Sequence, residues 1–224
     1  TTAANNTAVG FTALTANTTG TQNVGLGTFS LLANTQSNRN TALGYNTLSS
    51  HNITSDSNGY NTCVGFQAGS DITTGTQNTL IGGLAGDTTT TGANNTAAGY
   101  NSFTANTTGA ANVALGVDAL SSNTTAASNT AIGVSALEDN TTGAGNTAVG
   151  QAALANNTTA AGNTAVGKDS LNAATTGANN VAVGKEAGDS ITTGGNNTFV
   201  GVSAGHTSVD SSSNIMVGFE AIAS

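Results

Sequence analysis

The chain has 224 residues, 6% of them charged and 4% aromatic, with 30 glycines and neither proline nor tryptophan. Its net charge of −8, with only Arg39, Lys168 and Lys185 as Lys or Arg, excludes the clustered basic residues that nucleic acid or an anionic membrane surface requires. No run approaches the roughly 18 apolar residues of a membrane-spanning helix, one cysteine rules out an internal disulfide framework, and so few large apolar groups cannot fill a thick core.

From the N-terminus a single unit recurs, beginning at Asn6, Asn23, Asn40, Asn61, Asn78, Asn95, Asn112, Asn129, Asn146, Asn163, Asn180, Asn197 and Asn214. Every step is 17 residues except the 21 from Asn40 to Asn61. The consensus is N-T-A-V-G-x-x-A-L-x-x-N-T-T-G-x-x, with Asn at position 1 and Gly at position 5 in all thirteen copies. Residues 1–224 therefore read as a single repeat domain.

Within each copy, position 2 is Thr, Val or Ile and position 4 is Val, Ile or Leu except for Ala98, so a short β-strand is expected there. Gly at position 5 turns a corner that a Cβ would obstruct. A second strand is expected around positions 8 and 9, ended by N-T-T-G, since Gly and N-T-T recur too often for a helix to propagate. The fold class is all-β: a parallel β-solenoid or β-roll of thirteen coils about 4.8 Å apart, forming a rod roughly 60 Å long. Stacked Asn side chains should form an amide ladder, represented by Asn112, Asn129, Asn146 and Asn163, beside the corner glycines Gly116, Gly133, Gly150 and Gly167. The third copy carries its four extra residues within 49–60, between His51 and Tyr60, as a surface loop.

Several copies vary in a correlated way. Where position 9 is Gly69 or Gly188, Ile72 or Ile191 follows three residues later, and Val209 follows Gly205, as if one apolar group fills another's space. Gly86 has no such companion and reads as a soft spot. Positions 3 and 4 are both apolar, although a strand with one wet face should alternate. Both faces therefore want burial, which points to a homotrimer, or else to one chain that folds both faces inward.

Residues that might carry chemistry are sparse. His51 and His206 are about nine coils apart, the acids have no metal-loop spacing, and neither a catalytic set, a metal nor a cofactor is expected. Cys63 occupies a position where Ala is usual and reads as core. Asp71, Asp87 and Asp189 read as solvated carboxylates. The candidate surface-binding residues are Phe11, Tyr45, Phe66 and Tyr100 at position 6, joined there by Phe219, which can stack on sugar rings or seal an inter-chain seam. Lys168 and Lys185 follow at the same position, balanced by Asp169 and Glu186. Paired threonines at positions 13 and 14 resemble the ladders of ice-binding solenoids. Sequons at Asn17, Asn106, Asn123 and Asn140 are potential N-glycan acceptors. The start without Met reads as a mature or excised part of a longer chain, and the charge-poor Asn/Thr/Gly composition favours a secreted or virion-surface setting.

The unit, nearly intact over Asn6 to Gly20 and Asn146 to Gly162, resembles the shaft repeats of phage-type tail fibres and adhesive fibre proteins. Its N-T-A-V-G core is more distantly similar to the head repeats of trimeric autotransporter adhesins. The resemblance spans the chain from Asn6 onward and implies a homotrimeric, elongated extracellular fibre on a virion or cell surface. It would bind a surface glycan or cell-surface receptor multivalently, with no nucleic acid partner and no membrane insertion.

Overall fold

A computed structural model describes residues 3–207, 210 and 212–222, and it divides into two compact units, Thr1–Asn112 and Val113–Ser224. No helix occurs among the described residues. Unit 1 contains β1 (Thr7–Val9), β2 (Val24–Leu26), β3 (Thr41–Leu43), β4 (Thr62–Val64), β5 (Thr79–Ile81) and β6 (Thr96–Ala98). Unit 2 contains β7 (Val113–Leu115), β8 (Thr130–Ile132), β9 (Thr147–Val149), β10 (Thr164–Val166), β11 (Val181–Val183), β12 (Thr198–Val200) and β13 (Ile215–Val217). Each strand covers positions 2 to 4 of one repeat. Within a unit each pairs in parallel with the next, always in the same register, as Ala131 does with Ala148 and Ala148 with Ala165. The fold is a parallel β-solenoid with one strand per coil.

The expected second strand is absent. Positions 7 and 9 adopt left-handed backbone in coil after coil, as at Thr12 (φ 54°) and Leu14 (φ 52°) or Asp118 (φ 57°) and Leu120 (φ 51°). The physical reason lies in packing. A strand sends successive side chains to opposite faces, whereas the alternating turn directs both position 8 and position 9 inward. Ala119 with Leu120, and Ala153 with Leu154, are fully buried. Hydrogen bonding between coils continues regardless: Leu154 N donates to Ser170 O (3.0 Å) and Leu171 N to Ala187 O (2.9 Å). Coil-to-coil bonding therefore runs through both the turn and the strand.

Gly at position 5 has φ between 131° and 148° throughout, and within a unit the next coil presses against it. A Cβ at Gly116 would lie 2.5 Å from Gly133 O and 2.6 Å from Gly133 C. Conformation and space both demand glycine there.

The interior has an apolar half and an amide half. The apolar half is built from positions 3, 8 and 9, and its volumes are traded between coils. Gly69 makes room for Cys63 and Ile72. Gly188 makes room for Phe199 of the following coil, and Gly205 for the same ring, since a Cβ there would lie 2.4 Å from Phe199 Cδ1. Val209 lies outside the described residues. Gly86 is not a soft spot: Leu80, which replaces the usual Ala at position 3, fills its space, and a Cβ would come within 2.9 Å of Leu80 Cδ1. In this coil the compensating group lies upstream of the glycine, in the strand, and not three residues downstream as beside Gly69 and Gly188.

The 21-residue coil keeps its place in the stack. Asn52 N still donates to Thr73 O (2.9 Å), the chain loops out over exposed residues 54–56, and Ser57 O rejoins by accepting Asn38 N (2.9 Å). Asn38 Nδ2 to Asp56 Oδ1 (2.8 Å) and Arg39 Nη1 to Asn58 Oδ1 (2.8 Å) tether the loop.

Candidate functional site

The amide half is the most regular chemistry in the molecule. Within each unit the position 1 Asn Oδ1 accepts the backbone N–H of the next coil's Asn, as in Asn146 N to Asn129 Oδ1 (2.9 Å) and Asn163 N to Asn146 Oδ1 (2.9 Å). Its Nδ2 crosses the coil to the carbonyl at position 15: Asn129 to Gly143 O (2.9 Å), Asn146 to Ala160 O (2.8 Å), Asn163 to Gly177 O (2.8 Å). Asn112 completes the same chain in unit 1, with N and Nδ2 at 3.0 and 3.2 Å from Asn95 Oδ1. Amide-to-amide bonds are thus only part of the ladder, which chiefly links side chain to backbone and closes each coil. The buried amides of position 1 are thereby matched inside a core too thin for large apolar groups.

A second Asn column, at position 12, was missed by sequence reasoning. Asn157 Nδ2 donates to Asn140 Oδ1 (2.7 Å) and to Ala160 O (3.1 Å), the carbonyl that Asn146 also clamps. The signal was present in the N of N-T-T-G, read there as a turn residue and a sequon. Asn106, Asn123 and Asn140 are fully buried and Asn17 spends its Nδ2 on Gly20 O (3.0 Å), so these amides face the interior, away from any glycan-transferring enzyme. His51 occupies this column in the long coil. It is fully buried, with Nε2 3.0 Å from Ser37 Oγ, and its Nδ1 has no partner. Burial pushes its pKa down to about 4. Cys63 is enclosed, and burial pushes its thiol up to about 12. His206 bonds through Nδ1 to Ser203 O (2.9 Å).

Among the acids, Thr104 Oγ1 donates to Asp87, and Asp71 N takes part in the backbone ladder by donating to Asp87 O (2.9 Å). The Asp189 carboxyl is raised by its partial burial. No group of three or more metal-ligating side chains, and no pocket, is found among the described residues. What the molecule presents is surface.

That surface has three notable columns. Position 4 points outward from every strand and is exposed or half-buried, as at Leu43, Ile81, Ile132, Val166, Val183 and Val200, directly beside position 3, which is buried in every strand after β1. Position 6 carries the candidate aromatics: Phe11, Tyr45, Phe66 and Tyr100 are between 46% and 69% exposed. With Phe29 at position 7, three of them form a connected strip, Phe11 to Phe29 (5.9 Å, 74°), Phe29 to Tyr45 (5.7 Å, 72°) and Tyr45 to Phe66 (5.6 Å, 9°). Tyr100 stands beyond Gly83 and Phe219 belongs to unit 2. At the same position Lys168 and Lys185 pair with Asp169 (3.4 Å) and Glu186 (3.0 Å), and the lysine beside Glu186 holds that carboxyl below its ordinary range. The third column is threonine. Position 13 hydroxyls are committed to the next coil's carbonyl, as in Thr141 to Thr158 O (2.9 Å), while position 14 is exposed at Thr125, Thr142, Thr159, Thr176 and Thr193.

No protein-family profile, curated protein or solved structure matches the chain.

Proposed function

We propose that this chain is the shaft or display segment of an extracellular attachment fibre on a virion or cell, assembled as a homotrimer and presenting repeated surface contacts that add through avidity. The observation that carries the reading is the position 4 column. Within each unit, branched or small apolar side chains face outward from successive strands, six in unit 1 and seven in unit 2, beside position 2, which holds only Thr, Val and Ile, so neither column carries a charge. A contiguous exposed apolar band of this kind marks a protein-contact surface. A second copy of the same chain is the partner that matches it rung for rung, and closed rotational symmetry buries it without generating an open filament. Sedimentation equilibrium tests the assembly. The expected mass is about three times the 21.6 kDa of one chain, and the Ile132→Ser, Val166→Ser, Val183→Ser variant should dissociate. A monomer mass at every concentration defeats the proposal.

The exposed threonine row at position 14 favours a second reading, ice binding, in which regularly spaced methyl and hydroxyl groups order water. Against it stands the commitment of the position 13 hydroxyls, which leaves the row one column wide. Thermal hysteresis at low temperature separates the two readings.

A further inference from the structure

We infer that the aromatic strip of unit 1, formed by Phe11, Phe29, Tyr45 and Phe66 with the amides of Asn46 and Gln67, binds an uncharged polysaccharide running along the coil axis. This deepens the display role proposed above and rests on it.

The rings recur about once per coil, and Tyr45 and Phe66 are nearly parallel. Beside each of these two lies a polar neighbour at position 7. The amide side chains of Asn46 and Gln67 are half-buried and make no hydrogen bond with the described residues, nor does the Tyr45 hydroxyl. Ring faces and edges that meet C–H surfaces, interleaved with uncommitted amide donors and acceptors, are the chemistry that recognises a sugar ring, which is apolar on its faces and hydroxylated around its rim.

The backbone under the strip is fixed. Phe29 N donates to Phe11 O (3.0 Å), Asn46 N to Thr28 O (2.9 Å), Gln67 N to Tyr45 O (2.9 Å) and Leu84 N to Phe66 O (2.9 Å). A ligand would therefore meet positioned groups and little ordering cost. The advance of one ring per coil is close to that of one sugar unit in an extended polysaccharide.

Charge selects the class. Positions 6 and 7 of unit 1 hold no ionisable acid or base, and the chain as a whole is at −8, which repels polyanions. A second copy of the chain is disfavoured as the occupant. Position 6 carries Lys168 and Lys185 in consecutive coils of unit 2, 53% and 56% exposed and paired only with their sequence neighbours. A column that accepts such lysines is a solvent-facing one, so its aromatic members are displayed rather than sealed.

The test is affinity electrophoresis of the whole chain in native gels containing dextran, galactomannan or hydroxyethyl cellulose, with retardation measured against polymer concentration. At least one polymer should retard the chain, Tyr45→Ala with Phe66→Ala should weaken that retardation at least tenfold, Gln67→Leu should weaken it less, and Lys168→Ala with Lys185→Ala should leave it unchanged. The far-UV spectrum and sedimentation mass of each variant are read in parallel, so a failed assembly is seen separately from failed binding. No retardation by any of the three polymers overturns the inference, and so does retardation that survives the double aromatic substitution. Mobility that varies with protein concentration and not with polymer identifies the strip as a self-association surface and overturns it as well.

Discussion

Units 1 and 2 use one repeat to different ends. In unit 2 the coils starting at Asn129, Asn146 and Asn163 stay close to the consensus, and their position 6 is aliphatic, amide or lysine. Unit 1 contains the 21-residue coil, His51 in an asparagine column, Leu80 opposite Gly86, and the connected aromatic strip. Yet the strand register, the position 5 backbone and the position 1 clamp are the same in both. The difference teaches which positions build the coil and which are free to be used. Positions 1 and 5 are invariant, apolar volume is traded among positions 3, 8 and 9, with Ile72 and Ile191 of position 12 making it up beside Gly69 and Gly188, and position 6 is open to decoration.

The sharpest way to break this comparison is to strike the invariant corner in both units. Gly65 and Gly116 share φ 137°, and a Cβ at either would meet the next coil's carbonyl oxygen, at 2.3 Å and 2.5 Å. Gly65→Val and Gly116→Val should each destabilise by more than about 4 kcal/mol, since backbone cannot give way as a flexible side chain can. Gly218 has φ 135° but only the Ala221 Cβ near it, at 3.9 Å. Gly218→Val should therefore cost only the dihedral strain, about 1–3 kcal/mol. Thermal unfolding of the three variants measures this, and an unchanged midpoint for Gly116→Val refutes the account of the corner.

Much of this was legible because a solenoid repeats its own constraints. The invariance of Asn and Gly, and the β-branched bias of position 2, report one structural demand thirteen times over, and the strands fell where that pattern put them. The turn at positions 7 to 9 was not legible. Alanine followed by leucine is compatible with a strand, and nothing in Thr12, Ala152 or Leu120 announces left-handed backbone, a conformation costly for such residues and stable here only through coil-to-coil bonding and burial. The buried asparagines at position 12 were obscured for a related reason, since Asn before Thr-Thr-Gly is equally the signature of an exposed turn. Of the candidate surface residues, Tyr45 and Phe66 meet directly, but Phe11 joins them only through Phe29, which the sequence places one position out of column.

The Leu80–Gly86 exchange tests whether unit 1 can be returned to the consensus. Leu80→Ala alone empties the space beside Gly86 and should cost about 2–5 kcal/mol. Gly86→Leu alone overpacks against Leu80. Its backbone is already suited, however, because Gly86 has φ 56° and the consensus Leu48 has φ 51°. Leu80→Ala with Gly86→Leu should recover most of the loss, with a coupling energy above about 2 kcal/mol in a double-mutant cycle. Additive losses show that the two positions do not share volume.

His51 offers the corresponding test by pH. Burial lowers its pKa from 6.5 to about 4, so the unfolded chain takes up the proton first as pH falls. Stability from this residue is complete above pH 6.5, declines between 6.5 and 4, and levels off below, a loss of about 3 kcal/mol. His51→Asn restores the column residue beside Asn34, whose Oδ1 lacks a partner. The variant should flatten that part of the denaturation-versus-pH profile, and a profile that keeps its slope assigns the acid sensitivity elsewhere.

The smallest effect expected separates the two threonines of each pair. Thr158 Oγ1 donates to Thr175 O (3.2 Å) and is half-buried, while Thr159 is exposed. In unit 1, Thr35 Oγ1 instead reaches Asn52 Oδ1 (2.6 Å), because the long coil puts Asn where the repeat has Thr. Thr158→Val and Thr35→Val should each cost about 0.5–1.5 kcal/mol, the net worth of one such bond, and Thr159→Val should cost nothing measurable in urea titration. Equal losses at Thr158 and Thr35 mean that the latch needs only an acceptor at the next coil, whether backbone or side chain. That tolerance is what lets the repeat absorb a four-residue insertion without losing the stack.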